Sequence, residues 1–198
     1  MLALIMAGGE GSRLRMGEKP LVTICDRPMI AYVIDAFRSS GHDVMVVTSR
    51  RTPFTRNWCR AHSIPHFPAH GGGYVEDLDE AIRELEETGP VFTAVADLPC
   101  ITPEIVERVE HAFSPDPRPA CSVWLPEERV ASFRTRYHEV VDGVRACPAG
   151  INVLTGALVP EEQEELRLLI DEPRLAYNVN TRQELEAVTH ILCPKRSQ

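Results

Sequence analysis

Short apolar segments alternate with amphipathic ones from the first residues onward, and this alternation constrains the fold more than any other feature of the chain. Leu2–Met6 is wholly apolar and is followed by a pair of glycines, as expected for a strand buried on both faces. Asp43–Thr48 and residues 91–96 are two further apolar runs of strand length. Residues 28–40 and 76–87 carry apolar side chains at helical spacing. The pattern predicts an α/β protein with a twisted, mostly parallel sheet and helices on both faces.

The alternation continues into a less regular C-terminal part. Thr102, Pro103 and Glu104 supply a hydroxyl cap, a first-turn proline and a first-turn acid, which together predict the start of a helix. Four glutamates near the start of residues 160–170 favour another helix there. We expect one domain over residues 1–198, with a mixed C-terminal extension of the sheet. The remaining predicted elements are helices at 52–62 and 181–192, and strands or extended segments at 64–67, 121–125, 139–144, 148–154 and 175–179.

Charge composition limits the partners of the chain. Lys and Arg number 21 against 29 Asp and Glu, which gives a formal charge of −8. A net anion does not condense on nucleic acid or acidic lipid without a local basic patch, so we expect neither as a partner. No segment approaches the roughly 18 consecutive apolar residues of a membrane span, and the first residues lack the basic region of a signal peptide. These features predict a cytoplasmic protein.

The six cysteines are scattered without a C-x-x-C pair, and we expect reduced thiols, some of them buried. The segment from Cys59 through His62 to His66 and His70 resembles a crude set of metal ligands. Two prolines interrupt it, and no matching second pair of ligands follows. Because structural zinc sites come as paired, tightly spaced ligands, we do not expect zinc here.

The glycine-rich segment after the first apolar run carries the strongest functional signal. It reads AGGEGSRLRMGEKP over residues 7–20 and contains three cations, Arg13, Arg15 and Lys19. Glycines let backbone N–H groups approach an anion, and the carboxyl end of a strand is where α/β sheets bind ligands. No Gly-Lys-Ser/Thr sequence follows, and the third glycine of the dinucleotide fingerprint is missing. The segment therefore predicts a polyphosphate site of another kind.

This segment resembles the signature A-G-G-x-G-x-R-L, a short spacer and K-P-L of nucleotidyltransferases with a Rossmann-like fold. The resemblance implies that the loop wraps a nucleoside triphosphate, with Lys19 at the α-phosphate and Arg13 at the departing pyrophosphate. Together with Asp97, these two residues are the catalytic residues that the resemblance implies. The nucleotide-binding residues implied in and around the loop are Leu4, Ala7, Gly8, Gly9, Gly11, Ser12, Arg13, Lys19 and Thr48.

Two further segments resemble the metal-binding parts of that family. Asp97 follows the third buried strand, and a carboxylate there suits Mg²⁺, which binds proteins through one or two carboxylates plus phosphates and water. The segment from Asn178 through Asn180 and Thr181 is similar to the family's closing motif, in which an Asn or Asp completes the metal shell. Capping of the last helix by Asn180 or Thr181 is an alternative role, as is a turn role for Asp97. We expect Asp97 and Asn180 as metal ligands, with Asn178 at the nucleotide.

A carboxylate near the second glycine cluster is a candidate for reading the base. Guanine presents two adjacent donors, N1–H and N2–H₂, which a carboxylate accepts together. Glu76 and Asp77, at the start of the helix after Gly71-Gly72-Gly73, are the candidates. Interaction with the helix dipole is the alternative role for either acid.

Three segments taken together resemble one branch of the family, the archaeal-type adenosylcobinamide-phosphate guanylyltransferases. They are GYVEDL at 73–78, PAGINV at 148–153 and NVNT at 178–181, and the likeness extends over residues 2–192. It implies GTP as donor, a phosphorylated corrinoid as acceptor, and an N-terminal half for the nucleotide with a C-terminal half for the acceptor. It also implies that Gly150 and Asn152 lie beside the ribose.

Two alternative functions fit the same motifs. One is nucleotidyl transfer by this fold to molybdopterin or a sugar phosphate, and the other is nucleotide binding by a regulator without activity. The corrinoid site is not apparent in the sequence. Trp124, Phe133 and Tyr137 are candidates for it, with burial in the core as their alternative role. The sequence is compatible with a homodimer and does not specify one.

Overall fold

The structure, a computed structural model, describes residues 1–9, 14, 16–130 and 137–194. None of the helices in these ranges is long and apolar enough to cross a membrane. The α-helices are α1 Met29–Ser39, α2 Pro53–Ala61, α3 Tyr74–Glu84, α4 Pro103–Phe113 and α5 Arg182–Leu192. The strands are β1 Leu2–Met6, β2 Thr23–Ile24, β3 Arg27–Pro28, β4 Asp43–Thr48, β5 His66–Pro68, β6 Pro90–Val95, β7 Ala120–Pro126, β8 Glu139–Val141, β9 Val144–Thr155 and β10 Glu165–Leu169.

The main sheet has the strand order β10-β7-β9-β6-β1-β4-β5, and β8 pairs with β9. β1 is parallel to both neighbours, and its last residue, Met6, lies opposite Val47 of β4 and Val95 of β6. The long strand β9 is antiparallel to β6 and β7. The predicted fold class, a mostly parallel sheet with a mixed C-terminal part, is confirmed. The central parallel strands β6, β1 and β4 have their carboxyl ends at the same edge of the sheet.

Alternate side chains of β1 pack into two different apolar clusters, one on each face of the sheet. Ala3 and Ile5 lie in a large cluster with Val33 and Phe37 of α1, whereas Leu4 lies in a second cluster with Leu78 and Ile82 of α3. All of these residues are at least nine-tenths buried. Helices therefore cover both faces of the sheet, which explains why β1 is apolar throughout.

The helix predicted over 160–170 is wrong, because residues 165–169 form the edge strand β10, parallel to β7. Leu166 and Leu168, on either side of Arg167, both pack against the large core, so the period of two outweighs the acidic helix-start signal. The strand predicted over 175–179 is also wrong. Pro173–Ala176 is a short 3₁₀ helix whose first turn is capped by the Glu172 carboxylate.

A disulfide joins Cys25 to Cys193, so the prediction of reduced thiols is wrong for this pair. Cys25 follows β2, and Cys193 follows α5. Chain segments 168 residues apart thus meet beside one another, which no spacing rule in the sequence indicates. The remaining cysteines are buried thiols, and burial raises the pKa of Cys59 and Cys100 to about 11 and that of Cys121 to about 12.

Candidate active site

A cleft of about 270 Å³ opens at the edge where β1 and β6 end. Loops that follow the parallel strands surround it, which is the usual ligand position in an open α/β sheet. The described residues that line it are Met6, Ala7, Gly8, Gly9, Lys19, Pro20, Arg51, Gly71, Gly73, Tyr74, Asp77, Val95, Ala96 and Asp97.

An ion pair between Lys19 and Asp97 lies on one wall of the cleft. The Lys19 ammonium group donates to Asp97 Oδ2 and, over 2.8 Å, to the amide oxygen of Asn180. The two charged side chains are 15% and 14% exposed, so water screens their attraction less than at the surface. The charges predicted to serve the α-phosphate and the metal are therefore in direct contact.

The segment containing Asn178 and Asn180 is bonded to the Asp97 turn at several points. The Asn178 amide donates to Asp97 Oδ1 over 2.8 Å, and the Val179 backbone N–H donates to the Asp97 carbonyl over 3.0 Å. The Asn180 amide donates to the side-chain oxygen of Asn178. Both asparagines thus belong to the same polar cluster as Lys19 and Asp97.

A capping box at the start of α5 decides between the two candidate caps. Thr181 Oγ1 accepts from the Glu184 backbone N–H over 3.3 Å, while Glu184 Oε2 accepts from the backbone N–H of Asn180 and of Thr181. Thr181 is therefore the N-cap. The Asn180 side chain is directed to Lys19 instead.

A small apolar core holds the two segments of this polar cluster together. Val22 and Ile24, which follow Lys19 in sequence, pack in one cluster with Val179 and with Val188 of α5. The Cys25–Cys193 disulfide joins the same two parts of the chain. The positions of Lys19 and Asn180 therefore depend on packing between the early loop and the last helix.

The donor set around Asp97 fits a magnesium ion. In the described part of the chain, no three His, Cys, Asp or Glu side chains form a metal-binding group. A carboxylate oxygen of Asp97 and the amide oxygen of Asn180 nevertheless converge on one cation, the Lys19 ammonium. Oxygen donors with a single carboxylate suit Mg²⁺, which takes its other ligands from phosphates and water.

The opposite wall is built around Gly8. Asp77 Oδ1 accepts from the backbone N–H groups of Gly71 and Gly72 over 2.8 and 2.9 Å, which fixes the glycine turn before α3. A Cβ atom at Gly8 would lie 3.1 Å from Asp77 Oδ2 and 3.2 Å from Ser49 Cβ. Gly8 therefore lets three loops approach closely. Asp77, proposed above as a base reader, also braces the Gly71–Gly72 turn.

Tyr74, the first residue of α3, lies between the cleft and a second cavity of about 260 Å³. Its hydroxyl donates to Thr93 Oγ1 over 3.2 Å, and the Asn152 amide donates to the same atom over 3.5 Å. Although 42% of the residue surface is exposed, the hydroxyl points inward, and its desolvation raises the pKa of Tyr74. Tyr74 thus separates the two cavities.

The structure brings some of the predicted residues together and places others elsewhere. Leu4 and Thr48 are fully buried within their strands and do not line the cleft. Asn152 lines the second cavity. Gly150 has φ +81°, and an added Cβ would lie 2.8 Å from Val95 Cγ2, so this strand needs a glycine there. The predicted residues that line the cleft are Ala7, Gly8, Gly9, Lys19, Asp77 and Asp97.

Five predicted positions lie outside the described residues: Gly11, Ser12, Arg13 and Arg15 of the loop, and Phe133. Glu76 lies in the first turn of α3, where its carboxylate faces Gly73.

Sequence reasoning missed Arg51 and Tyr74 as cleft residues. The pair Arg50-Arg51 directly after a predicted strand is a signal that could have identified the first. Tyr74 is the second residue of the GYVEDL segment that carries the resemblance, and that segment is a signal that could have identified it.

The comparison with known proteins identifies the family. Residues 3–190 match the MobA-like NTP transferase domain. The chain belongs to this family. It is 32% identical over 206 aligned residues to adenosylcobinamide-phosphate guanylyltransferase from Methanocaldococcus jannaschii, with 97% of each chain covered. It is 25% identical over 205 residues to molybdenum cofactor guanylyltransferase from Acidovorax sp. strain JS42, with 93% of each chain covered.

A solved transferase structure from Thermus thermophilus, described as hypothetical, superposes on this NTP transferase with a TM-score of 0.71. The two are 18% identical, and the match covers 93% of this chain and 98% of the other, which establishes the shared fold. Membership of the family makes the protein an enzyme, a nucleotidyltransferase. The Rossmann-like fold and the resemblance stated from the sequence are confirmed.

Proposed function

We propose that this nucleotidyltransferase transfers GMP from GTP to adenosylcobinamide phosphate, giving adenosylcobinamide-GDP and pyrophosphate. The observation that carries the choice of substrates is the similarity to the Methanocaldococcus jannaschii enzyme of that name, which covers 97% of both chains. The cleft supports the class of chemistry, because it places Lys19 and Asp97 beside glycines at the ends of parallel strands.

The proposed reaction is an in-line attack on the α-phosphorus of GTP by a phosphate oxygen of the acceptor. A phosphomonoester has a second pKa of about 6 and is already ionised near neutral pH, so the nucleophile needs no general base. The new bond joins that oxygen to the α-phosphorus, the bond to the β-phosphate oxygen breaks, and its electron pair leaves with pyrophosphate. Positioning and charge stabilisation then supply the catalysis.

In this mechanism, Lys19 supplies a positive charge at the α-phosphate, and without nucleotide its contacts with Asp97 and Asn180 hold that charge at the wall of the cleft. Asp97 and Asn180 would hold Mg²⁺ in place of the Lys19 ammonium, which is then released to the α-phosphate, and the bound ion would neutralise charge on the phosphates. The lack of a Cβ atom at Gly8 lets the glycine loop lie against Asp77 and Ser49, which sets its position at the floor of the cleft.

We place the acceptor on the C-terminal half, beyond Tyr74. The second cavity adjoins the cleft at this side chain and carries polar groups from Asn152 and Gln163 among apolar ones. Tyr137, farther along the same half, is 66% exposed, whereas Trp124 is only 5% exposed and donates to Ser122 Oγ over 2.7 Å. Of the two aromatic candidates for corrinoid contact that the structure describes, Tyr137 is the more accessible.

Molybdopterin is the second candidate acceptor, because molybdenum cofactor guanylyltransferases also align with the chain over most of its length. The test measures pyrophosphate release by the purified protein with each of the four nucleoside triphosphates, in the presence of adenosylcobinamide phosphate or molybdopterin. We expect turnover with GTP and adenosylcobinamide phosphate. If only molybdopterin supports turnover, molybdopterin is the acceptor in place of adenosylcobinamide phosphate. If only another triphosphate supports turnover, that triphosphate is the donor in place of GTP.

A further inference from the structure

The carboxylate of Glu18, the residue before Lys19, is bonded to the first turn of α2. Its Oε1 accepts from the Phe54 backbone N–H over 2.8 Å. Its Oε2 accepts from the Thr55 backbone N–H and from Thr55 Oγ1, each over 2.6 Å. The two segments are 36 and 37 positions apart in the chain. Because both carboxylate oxygens accept bonds, the orientation of the Glu18 side chain is fixed.

These bonds supply the cap that α2 lacks. The first turn of an α-helix leaves backbone N–H groups without an acceptor inside the helix. The N-cap residue, Thr52, makes no side-chain cap bond, and Pro53 has no N–H to donate. The N–H groups that remain are those of Phe54 and Thr55, and Glu18 accepts from both. A carboxylate is also favoured there by the helix dipole.

The same residue begins the short turn that carries Lys19. Residues Lys19–Leu21 form a 3₁₀ turn in which the Glu18 carbonyl accepts from the Leu21 N–H over 3.0 Å. Pro20, within this turn, is buried and has a fixed φ. The backbone of Lys19 thus lies between a residue bonded to α2 and a residue locked by its ring. The anchor of Glu18 on α2 therefore sets the point from which the Lys19 side chain extends.

The position of that point matters because the Lys19 side chain is long and flexible. Its ammonium group contacts Asp97 and Asn180, and the proposed function requires it to move from them to the α-phosphate. A displacement of about 1 Å at a catalytic group can cost about 10²-fold in rate. Glu18 itself is not among the described residues that line the cleft, so it has no contact there with a bound nucleotide.

We propose that Glu18 is a positioning residue for nucleotidyl transfer. By capping α2 it holds the backbone of Lys19 in place, so that only the Lys19 side chain moves when the ammonium group passes from Asp97 to the α-phosphate. The inference rests on the role of Lys19 in the proposed function, but it is independent of the identity of the acceptor.

The test measures kcat and KM for the triphosphate in the full chain, by pyrophosphate release with the donor and acceptor pair that supports wild-type turnover. Glu18→Ala, Glu18→Gln, Lys19→Ala and the double variant of Glu18→Ala with Lys19→Ala are compared with wild type. Arg60→Gly is the matched control, because it weakens the same helix at an exposed position in its last turn. Circular dichroism and melting temperature check that each variant is folded.

We expect Glu18→Ala to lower kcat about 10- to 100-fold while KM for the triphosphate changes less than about threefold. Glu18→Gln keeps one oxygen acceptor and should lose only about 2- to 10-fold in kcat. In the Lys19→Ala background, Glu18→Ala should change kcat by less than about twofold, since its effect passes through the missing side chain. Arg60→Gly should lower the melting temperature and leave kcat within about twofold of wild type.

Three results would overturn the proposal: an unchanged kcat in Glu18→Ala, an equal loss of kcat in Arg60→Gly, or an equal effect of Glu18→Ala with and without Lys19. If Glu18→Ala does not fold, Thr55→Val removes one of the three bonds, and an unchanged kcat in that variant overturns the proposal instead. If wild type uses only another acceptor, the acceptor assignment fails and the Glu18 series still decides this inference. If Lys19→Ala is fully active, or no pair of substrates supports turnover, the role of Lys19 and that of Glu18 fail together.

Discussion

Lys19 donates a hydrogen bond to Asp97, a residue 78 positions away, and its ammonium group also contacts Asn180, 161 positions away. The loop after β1, the turn after β6 and the segment before α5 therefore meet at one cation. Both charged side chains are about six-sevenths buried, at 15% and 14% exposure. This contact places the positive charge proposed to face the α-phosphate beside the carboxylate proposed to bind the metal.

Replacing Lys19 by alanine should abolish most turnover while the protein stays folded. Loss of one preorganised donor to a reacting group typically costs about 10²- to 10³-fold in kcat. Pyrophosphate release under saturating GTP measures the effect. Arg27→Ala is the control, because it breaks an exposed ion pair with Asp35 away from the cleft and should leave kcat unchanged. Full activity of the Lys19 variant would contradict the role assigned to it.

Replacing Asp97 by asparagine should lower kcat and raise the Mg²⁺ concentration needed for half-maximal rate. The change keeps the shape of the side chain and removes the Asp97 carboxylate from the polar cluster around Lys19. A hard cation such as Mg²⁺ binds most strongly to a charged oxygen. A titration of rate against Mg²⁺ measures it, and Asp35→Asn, at an exposed ion pair with Arg27, is the control. An unchanged metal titration would count against Asp97 as a ligand.

The N-terminal half of the fold could be predicted closely because its elements carry local signals. β1 and β4 match their predicted bounds, since each is an apolar run within a parallel sheet. The strand β10 could not be predicted in the same way. Its leucines are explained by pairing with β7, a contact between segments about 45 residues apart that outweighs the local acidic pattern.

In the candidate site, likewise, local motifs could be predicted from the sequence and long-range contacts could not. Lys19, Asp97 and Asn180 could be named because they stand in motifs that resemble a known family, yet their mutual hydrogen bonds follow only from the folded chain. The cleft position of Tyr74 depends on the register of α3 against β6, where its hydroxyl meets Thr93. Such long-range contacts leave no periodic trace in the sequence.

The two substitutions of Asn180 should change the magnesium requirement in opposite directions. Aspartate at this position adds a second carboxylate beside Asp97 and should lower the Mg²⁺ concentration for half-maximal rate, whereas alanine removes an oxygen donor and should raise it. The backbone N–H of Asn180 bonds to Glu184 in either variant, so α5 keeps its cap. Identical metal titrations for the two variants would exclude the Asn180 side chain from the metal site.

Removal of the disulfide should destabilise the protein and loosen the wall that carries Lys19. The Cys25–Cys193 bond closes a loop of 168 residues, and loss of such a cross-link typically costs about 2–4 kcal/mol of unfolding free energy. Cys193→Ser should therefore melt below the oxidised wild type, as measured by circular dichroism. Its control is the same pair of proteins in excess reductant, where the two melting temperatures should coincide. A difference that persists in reductant would show that the serine itself perturbs the packing of Cys193 against the small apolar core, and equal melting temperatures under oxidising conditions would show that the cross-link contributes nothing to stability.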